Sequence, residues 1–490
     1  MGLPARHPFV AQLQTLLHLA AWCQVGVILR IELDALFGGA CATGASAYGW
    51  APCVTSSTGA LFADLPPNAL GSFVMGMLAS SDVLSKHLGH ALADEAPLAA
   101  LPRGSSLQVY TAFQIGVRTG FCGSLTTFSS WMMQAVVLMV GGHPLGYSKW
   151  VEGLFSLALN VWVCMAALVT GQHMCLMIYH WLNPGAFTAR GEYGWRGSIA
   201  KPPPSPAAAP SSPLLGTPSL GRISVGRGAG GSGTVVVEDR RASSIKNPEE
   251  ARQQAAAVAA ALAGPADGAA LERAASLVRA GSLRRASPVA AAAAAAEKAE
   301  GAAPSAEVEL VVLEEEEVGY PLAWWVADAL SLAALALLTV GSIYWAATKT
   351  TAASSPFANS GAAIAILLGP PGALLRFRLS RYNGSLKALK WFPLGTFAAN
   401  MIACVVDYAI RAGLERAPQQ LPFTHEALLT GIMLGFCGSL STVSTWVVEL
   451  QLLMLNFPAH RRGYIYLGAS IATPVLLGVV IYGVAVWTGR

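Results

Sequence analysis

Two twelve-residue stretches, GFCGSLTTFSSW from Gly120 to Trp131 and GFCGSLSTVSTW from Gly435 to Trp446, are identical at nine positions and lie 315 residues apart. A chain with such a pair is an internal duplication, so its architecture must present the same unit twice. Each copy interrupts an apolar run with Gly, Ser and Thr, which suits a helix broken inside a membrane. Non-helical backbone is tolerated there where it is buried or lines a wet cavity, and such breaks tend to bind ions.

The 490 residues are 54% hydrophobic and 12% charged, with a mean hydropathy of +0.50. That is too apolar for a soluble globular protein and too long for one span, so the chain reads as polytopic. The net charge of +4 sits mostly outside the apolar segments, which argues against a nucleic-acid-binding face. Cys23, Cys41, Cys53, Cys122, Cys164, Cys175, Cys404 and Cys437 show no paired C-x-x-C spacing, against a zinc site or disulfide framework. Most fall in apolar runs, as small buried hydrophobes. The start MGLPARHP lacks the Ser or Thr of a myristoylation signal, and the first apolar run reads as a retained span rather than a cleaved leader.

Apolar runs of helix-spanning length fall at 12–37, 67–90, 107–140 and 149–181, and again at 358–380, 393–413, 423–457 and 463–489. A ninth, 321–347, matches no part of the repeat. Four spans, then one, then four would insert the halves in opposite orientations, giving an all-α inverted duplication. The expected domains are 1–183, an insert 184–320, a linking helix 321–349 and 350–490. Arg376, Arg378, Arg381, Lys387 and Lys390 in one loop, with Arg461 and Arg462 in another, place the N-terminus inside and the C-terminus outside. The loop from Gly38 to Ala63, without Lys or Arg, agrees; Arg411 and Arg416 do not.

Residues 184–320 contain KPPPSPAAAPSSP, GRGAGGSGT and an alanine tract, too little apolar surface to offset ordering entropy, so a disordered cytoplasmic insert is expected. RRASS and RRAS place Ser243, Ser244 and Ser287 in contexts a basophilic kinase could use, although such short motifs also arise by chance.

Aligning the halves brings further polar residues into register: Gly26 and Arg30 with Gly372 and Arg376, Asn68 with Asn400, and Ser156 with Ser470. A polar residue inside a bilayer costs up to a few kcal/mol, and its retention in both copies favours a pathway. These motifs resemble the Fluc/CrcB fluoride channels, and the fused layout looks like their eukaryotic two-domain form, the FEX exporters. Everything but 184–320 is covered.

The resemblance implies a passive fluoride channel in which the two halves mimic an antiparallel dimer, functional as a monomer, embedded in lipid, and exporting fluoride at the plasma membrane. Its implied pore residues are Asn68, Thr127, Phe128, Ser129 and Trp131 with Asn400, Thr442, Val443, Ser444, Trp446, Tyr466 and Ser470. Arg30 and Arg376 would line vestibules and draw anions to the mouths. A structural Na⁺ would sit among backbone carbonyls of Gly123, Thr126, Gly438 and Ser441. Independently, a small, strongly hydrated anion needs compact donors such as hydroxyls, amides and aromatic ring edges.

The copies also differ. Val443 lacks the ring of Phe128, and Glu152 stands where the second half has Tyr466. If opposing halves share each conduit, one pairs Phe128 with Trp446 and the other Val443 with Trp131, so the pores are unequal, and Glu152 would place an anion near one of them. Duller readings stay open: small residues for helix packing, arginines that snorkel, and interfacial packing for His173, Cys175, Met177 and His180 rather than metal binding. Thr424, His425 and Glu426 do not form H-E-x-x-H, and no catalytic group is evident. A proton-coupled anion exporter using Glu152, Asp407 or Glu449, and a pore-dead scaffold, remain as rival functions.

Overall fold

The structure, a computed structural model, describes residues 8–43, 54–78, 98–182 apart from 99, 103–104 and 143–144, the segments 223–227 and 233–237, and 320–489 apart from 349–359, 387–388, 418–421 and 456–457. Two compact units separate. One comprises Met1–Arg6 with Arg196–Tyr320, the other His7–Trp195 with Pro321–Arg490.

The second unit is all-helical among its described residues. In its first copy α1 is Pro8–Thr43 and α2 Leu65–Leu78. The third helix is broken: α3a runs through Thr111–Ile115, Gly116–Cys122 and Gly123–Leu125, and α3b is Ser129–Val140. Helix α4 is Trp150–Leu182 and α5 Leu322–Thr348. The second copy repeats the order with α6 Ser360–Leu379 and α7 Leu394–Arg416. Then come α8a through Phe423–Gly431, Ile432–Cys437 and Gly438–Leu440, and α8b Ser444–Leu455. Helix α9 runs through Arg461–Gly478, Val479–Gly483 and Val484–Thr488. Eight of these helices are long and apolar enough to cross a membrane. Helix α2 has 14 described residues; the rest of the expected span 67–90 lies outside the described residues.

Contact registers give the helix directions. Gly116 lies against His18 and Trp22, while Gly26 lies against Phe121 and Leu125, so α1 and α3a run the same way. Gly431 against Ile364, and Gly372 against Phe436 and Leu440, repeat this for α6 and α8a. Across the copies the sense reverses: Cys23 meets Ser439 but Arg30, further along α1, meets the earlier Leu434. The copies are thus antiparallel. The glycine of each Gly-x-x-x-Arg is required by this packing, since a Cβ at Gly26 or Gly372 would lie 2.6 or 2.3 Å from the carbonyl oxygen of Phe121 or Phe436.

Helix α5 has no counterpart in the repeat and is docked by a polar cluster that the sequence reading missed. His18, fully buried, joins its Nε2 to Asp328 Oδ1 at 2.8 Å and its Nδ1 to Ser331 Oγ at 2.8 Å. Gln14 Nε2 donates to Asp328 Oδ2 at 3.0 Å, and the Tyr110 hydroxyl donates to Oδ1. Gln24 donates to Thr339 at 3.1 Å, so α1 and α5 run in the same direction.

In the other unit, strands β1 (Ile223–Arg227) and β2 (Gly233–Val237) pair antiparallel, Ile223 opposite Val237 and Arg227 opposite Gly233. Val235, Val236 and Val237 supply β propensity there; apart from these two strands and Tyr320, the expected insert 184–320 lies outside the described residues. Ser243, Ser244 and Ser287 lie outside the described residues.

Candidate functional site

The two broken helices meet at their breaks. Each break follows a π-helical turn, Gly116–Cys122 in one copy and Ile432–Cys437 in the other, a distortion common at functional sites. The chain then turns extended at Thr126 (φ −95°, ψ 144°) and Ser441 (φ −84°, ψ 159°). A break frees backbone groups that need partners in a membrane, and here they come from two sources. Within each copy, the asparagine braces the next peptide: Asn68 Oδ1 accepts from Thr127 N at 2.8 Å and its Nδ2 donates to Thr127 O at 3.1 Å, while Asn400 does the same for Thr442 at 2.8 and 3.3 Å.

Across the copies, each break caps the other's second half-helix. Ser441 Oγ accepts from Phe128 N and Ser129 N, both at 3.1 Å, at the start of α3b. Thr126 Oγ1 accepts from Val443 N at 3.2 Å and Ser444 N at 3.1 Å, at the start of α8b. Such caps are worth about 1 kcal/mol each. Thr127 and Ser441 hydroxyls lie 3.3 Å apart, Thr126 and Thr442 3.2 Å, and Thr442 and Ser444 3.3 Å. The predicted hydroxyls therefore form one buried network, and they carry structural work within it.

Arg30 and Arg376 do not snorkel and do not sit at helix mouths. They are 1% and 4% exposed and reach into the opposite copy. Arg376 Nη1 donates to Gly123 O at 2.6 Å and Ser441 O at 3.3 Å, and its Nη2 to Thr119 O. Arg30 Nη2 donates to Leu434 O, the repeat equivalent of Thr119, and its guanidinium lies against Gly438. The half-helix C-termini present unsatisfied carbonyls and partial negative charge, which explains why cations converge there. Two of the four carbonyls expected around sodium, those of Gly123 and Ser441, thus serve a guanidinium. With Arg376 so placed, the set does not fit a sodium ion.

Phe128, Trp131, Val443 and Trp446 are all fully buried. Phe128 meets Trp446 edge-on at 5.5 Å and Trp131 of its own copy at 5.3 Å, and the two tryptophans are 6.1 Å apart. The aromatics form one trio rather than two separate pairs. Trp131 Nε1 donates to Ser156 O at 3.3 Å, whereas Trp446 Nε1 is buried without a partner among the described residues. Ser470 is buried, and Tyr466 is fully buried with its hydroxyl donating to Glu449 Oε2 at 2.8 Å.

Glu152 corrects the sequence reading. Although in register with Tyr466, it lies at the start of α4, 43% exposed, 3.6 Å from Lys149. It is partly exposed beside Lys149, whereas Tyr466 at the matching position is fully buried. His173, Met177 and His180 are exposed and Cys175 is buried; among the described residues no group of three His, Cys, Asp or Glu is placed to hold a metal.

The family described as CrcB-like protein, camphor resistance, matches residues 17–172 and again 363–484, the two helical copies. The chain belongs to the CrcB-like family. It is a multi-pass membrane protein built on a CrcB duplication. It is 39% identical over 128 residues to Fluoride export protein 1 of Neurospora crassa, covering 26% of this chain and 23% of that one. It is 38% identical over 118 residues to Fluoride export protein 1 of Candida albicans, covering 23% and 30%. The chain thus spans less than a third of these fungal relatives. Against Fluoride-specific ion channel FluC of Paraburkholderia xenovorans it is 38% identical over 115 residues, 22% of this chain and 83% of the relative. No solved structure matches.

Proposed function

We propose that this protein is a passive fluoride channel that exports the ion from the cytoplasm. The observation that carries the reading is a pair of buried donors without an acceptor among the described residues, Trp446 Nε1 in α8b and Arg30 Nη1 against Gly438. Leaving such a donor unsatisfied costs about 1–3 kcal/mol, and a compact anion accepts from both. Relatives named as fluoride exporters and fluoride-specific channels support the choice of anion. An inside-negative potential supplies about 2.3 kcal/mol per charge per 100 mV for outward anion movement, so no coupled ion is needed. Purified protein in liposomes should release fluoride and retain chloride; equal release of both would reject a fluoride-selective path.

The pores are unequal, and the conduit with Phe128 and Trp446 dominates; Trp446 keeps a free indole N–H there, whereas Trp131 spends its own on Ser156. The layout is four helices, one, then four. Parallel α1 and α5 are consistent with three crossings between them, α2 being one, and α5 then carries the chain over so that the second copy enters inverted. One chain supplies both halves, so it works as a monomer surrounded by lipid. The N-terminus is cytoplasmic, the C-terminus outside, and export is useful at the plasma membrane. No step uses a sodium ion.

Two outcomes test this layout. The sequon Asn383-Gly384-Ser385 should carry no glycan, because the loop is inside and Asn383 Oδ1 already accepts from Gly395 N at 2.7 Å at the start of α7. A sequon engineered into the loop between Gly38 and Ala63 should be modified; a glycan on native Asn383, seen as a mobility shift reversed by glycosidase, would invert the orientation. Deleting residues 205–300 should leave fluoride flux within about twofold of wild type, since an insert poor in apolar residues adds little to a membrane core and a lone hairpin is marginal by itself. Loss of folded protein on size-exclusion chromatography would contradict the linker assignment.

A further inference from the structure

A cavity of about 410 Å³ lies beside the breaks, with Arg30, Asp64, Thr127, Asp407, Arg411 and Gly438 among its walls. Two of its groups are buried without partners among the described residues: Arg30 Nη1 and the Asp407 Oδ1 oxygen, on residues each 1% exposed. An unpaired guanidinium N–H in a polar cavity calls for an anion. Carboxylates next to it oppose one. The combination is not dictated by the repeat: with Asn68 set on Asn400, Asp64 falls on Thr396 and Asp407 on Met75. Each copy therefore supplies one carboxyl that the other lacks at the corresponding position.

Neighbouring groups hold these carboxyls in place. Ser130 Oγ donates to Asp64 Oδ2 at 2.5 Å and Gln134 Nε2 at 3.4 Å; Ser129 and Cys437 stand beside Asp407. The titratable and charged groups facing the pair are Arg30 and Asp34 from α1, Cys404, Tyr408 and Arg411 from α7, and Cys437 from α8a. Burial pushes the Asp64 carboxyl above the usual carboxylate range, against the pull of the Arg30 guanidinium and the Ser130 hydroxyl.

Building on the fluoride-channel reading, we propose that Asp64 and Asp407 form a charge gate over Arg30: neutral, they let its free donor draw fluoride towards the break; ionised, they hold the anion off. Raising pH ionises Asp64 beside Arg30, so flux through this cavity falls as pH rises. A single charge a few ångströms from the path changes anion passage by roughly tenfold.

The test is fluoride efflux from liposomes holding the purified chain. The pH is equal on both sides, at about 6 or about 8, with voltage clamped by K⁺ and valinomycin and protein-free leak subtracted. Wild type should run roughly tenfold faster at the lower pH, and Asp64→Asn with Asp407→Asn should run at the fast rate at both. A wild-type rate that is the same at both pH values overturns the gate, and this result needs no variant to fold. An unchanged pH dependence in folded double variant overturns it too. Absence of protein-dependent fluoride efflux at either pH overturns the channel reading and the gate together, whereas pH-independent efflux overturns the gate alone.

Discussion

Replacing Arg376 with methionine should destabilise the helical unit by about 3–5 kcal/mol, the scale for removing one partner of a buried charged contact. Its guanidinium serves Gly123 O, Ser441 O and Thr119 O, so one substitution strips three carbonyls at the end of α3a and in the opposing break. Methionine matches the stem but donates nothing. Arg376→Lys should recover part of the loss, because a single ammonium keeps the charge but lacks the planar fork. Arg30→Met should cost less stability, since among the described residues Leu434 O alone accepts from it and Nη1 stands unpaired; its effect should fall on flux instead. Thermal unfolding in detergent, followed by size-exclusion chromatography, reads the difference. Equal stability losses for the two arginines would show that the copies share the central carbonyls evenly and would reject the asymmetry drawn here.

Phe128→Ile should lower fluoride flux by about tenfold or more, whereas Val443→Ala should change it by less than about twofold. Phe128 stands edge-on to both tryptophans, and a ring edge carries the positive part of the aromatic quadrupole that an anion prefers. Isoleucine removes that edge while keeping most of the volume, which limits the packing cost to about 1–3 kcal/mol. Valine at 443 has no edge to lose. Trp446→Phe should cost flux as well, because it deletes the indole N–H that lacks a protein partner, while Trp131→Phe gives up a donor already committed to Ser156. Val443→Phe should restore part of the lost flux if it rebuilds the second conduit. Equal losses from Phe128→Ile and Val443→Ala would reject pore asymmetry; no loss from either would reject an aromatic-lined path.

Much of this architecture is legible in the sequence because it is written twice. The doubled motif locates both breaks, and apolar run length places the helices to within a few residues, as for 149–181 against Trp150–Leu182. What stays hidden is which residue meets which across the copies. An arginine in Gly-x-x-x-Arg looks the same whether it snorkels or crosses, and the decision rests on how closely Gly26 and Gly372 let the helices approach. Thr126 and Ser441 stand out in the sequence only as positions whose backbone carbonyls the resemblance offers to an ion, yet the hydroxyl of each caps a half-helix of the other copy. Glu152 misleads for a different reason: matching register with Tyr466 fixes position along a helix but not the surroundings of that face. The His18 and Asp328 pair has no signature at all, being 310 residues apart with one partner on a helix outside the repeat.

Fluoride efflux from liposomes, with potassium alone, with valinomycin and with a proton ionophore, tests the central claim of passive conduction most directly. A channel moves net charge, so efflux should be slow with potassium alone, start when valinomycin provides a compensating current, and be unchanged by adding the ionophore to that valinomycin-supported flux. It should also reverse when the clamped voltage exceeds the fluoride gradient. Rapid efflux without valinomycin that stops when a proton gradient is collapsed would contradict the account and identify a proton-coupled exporter.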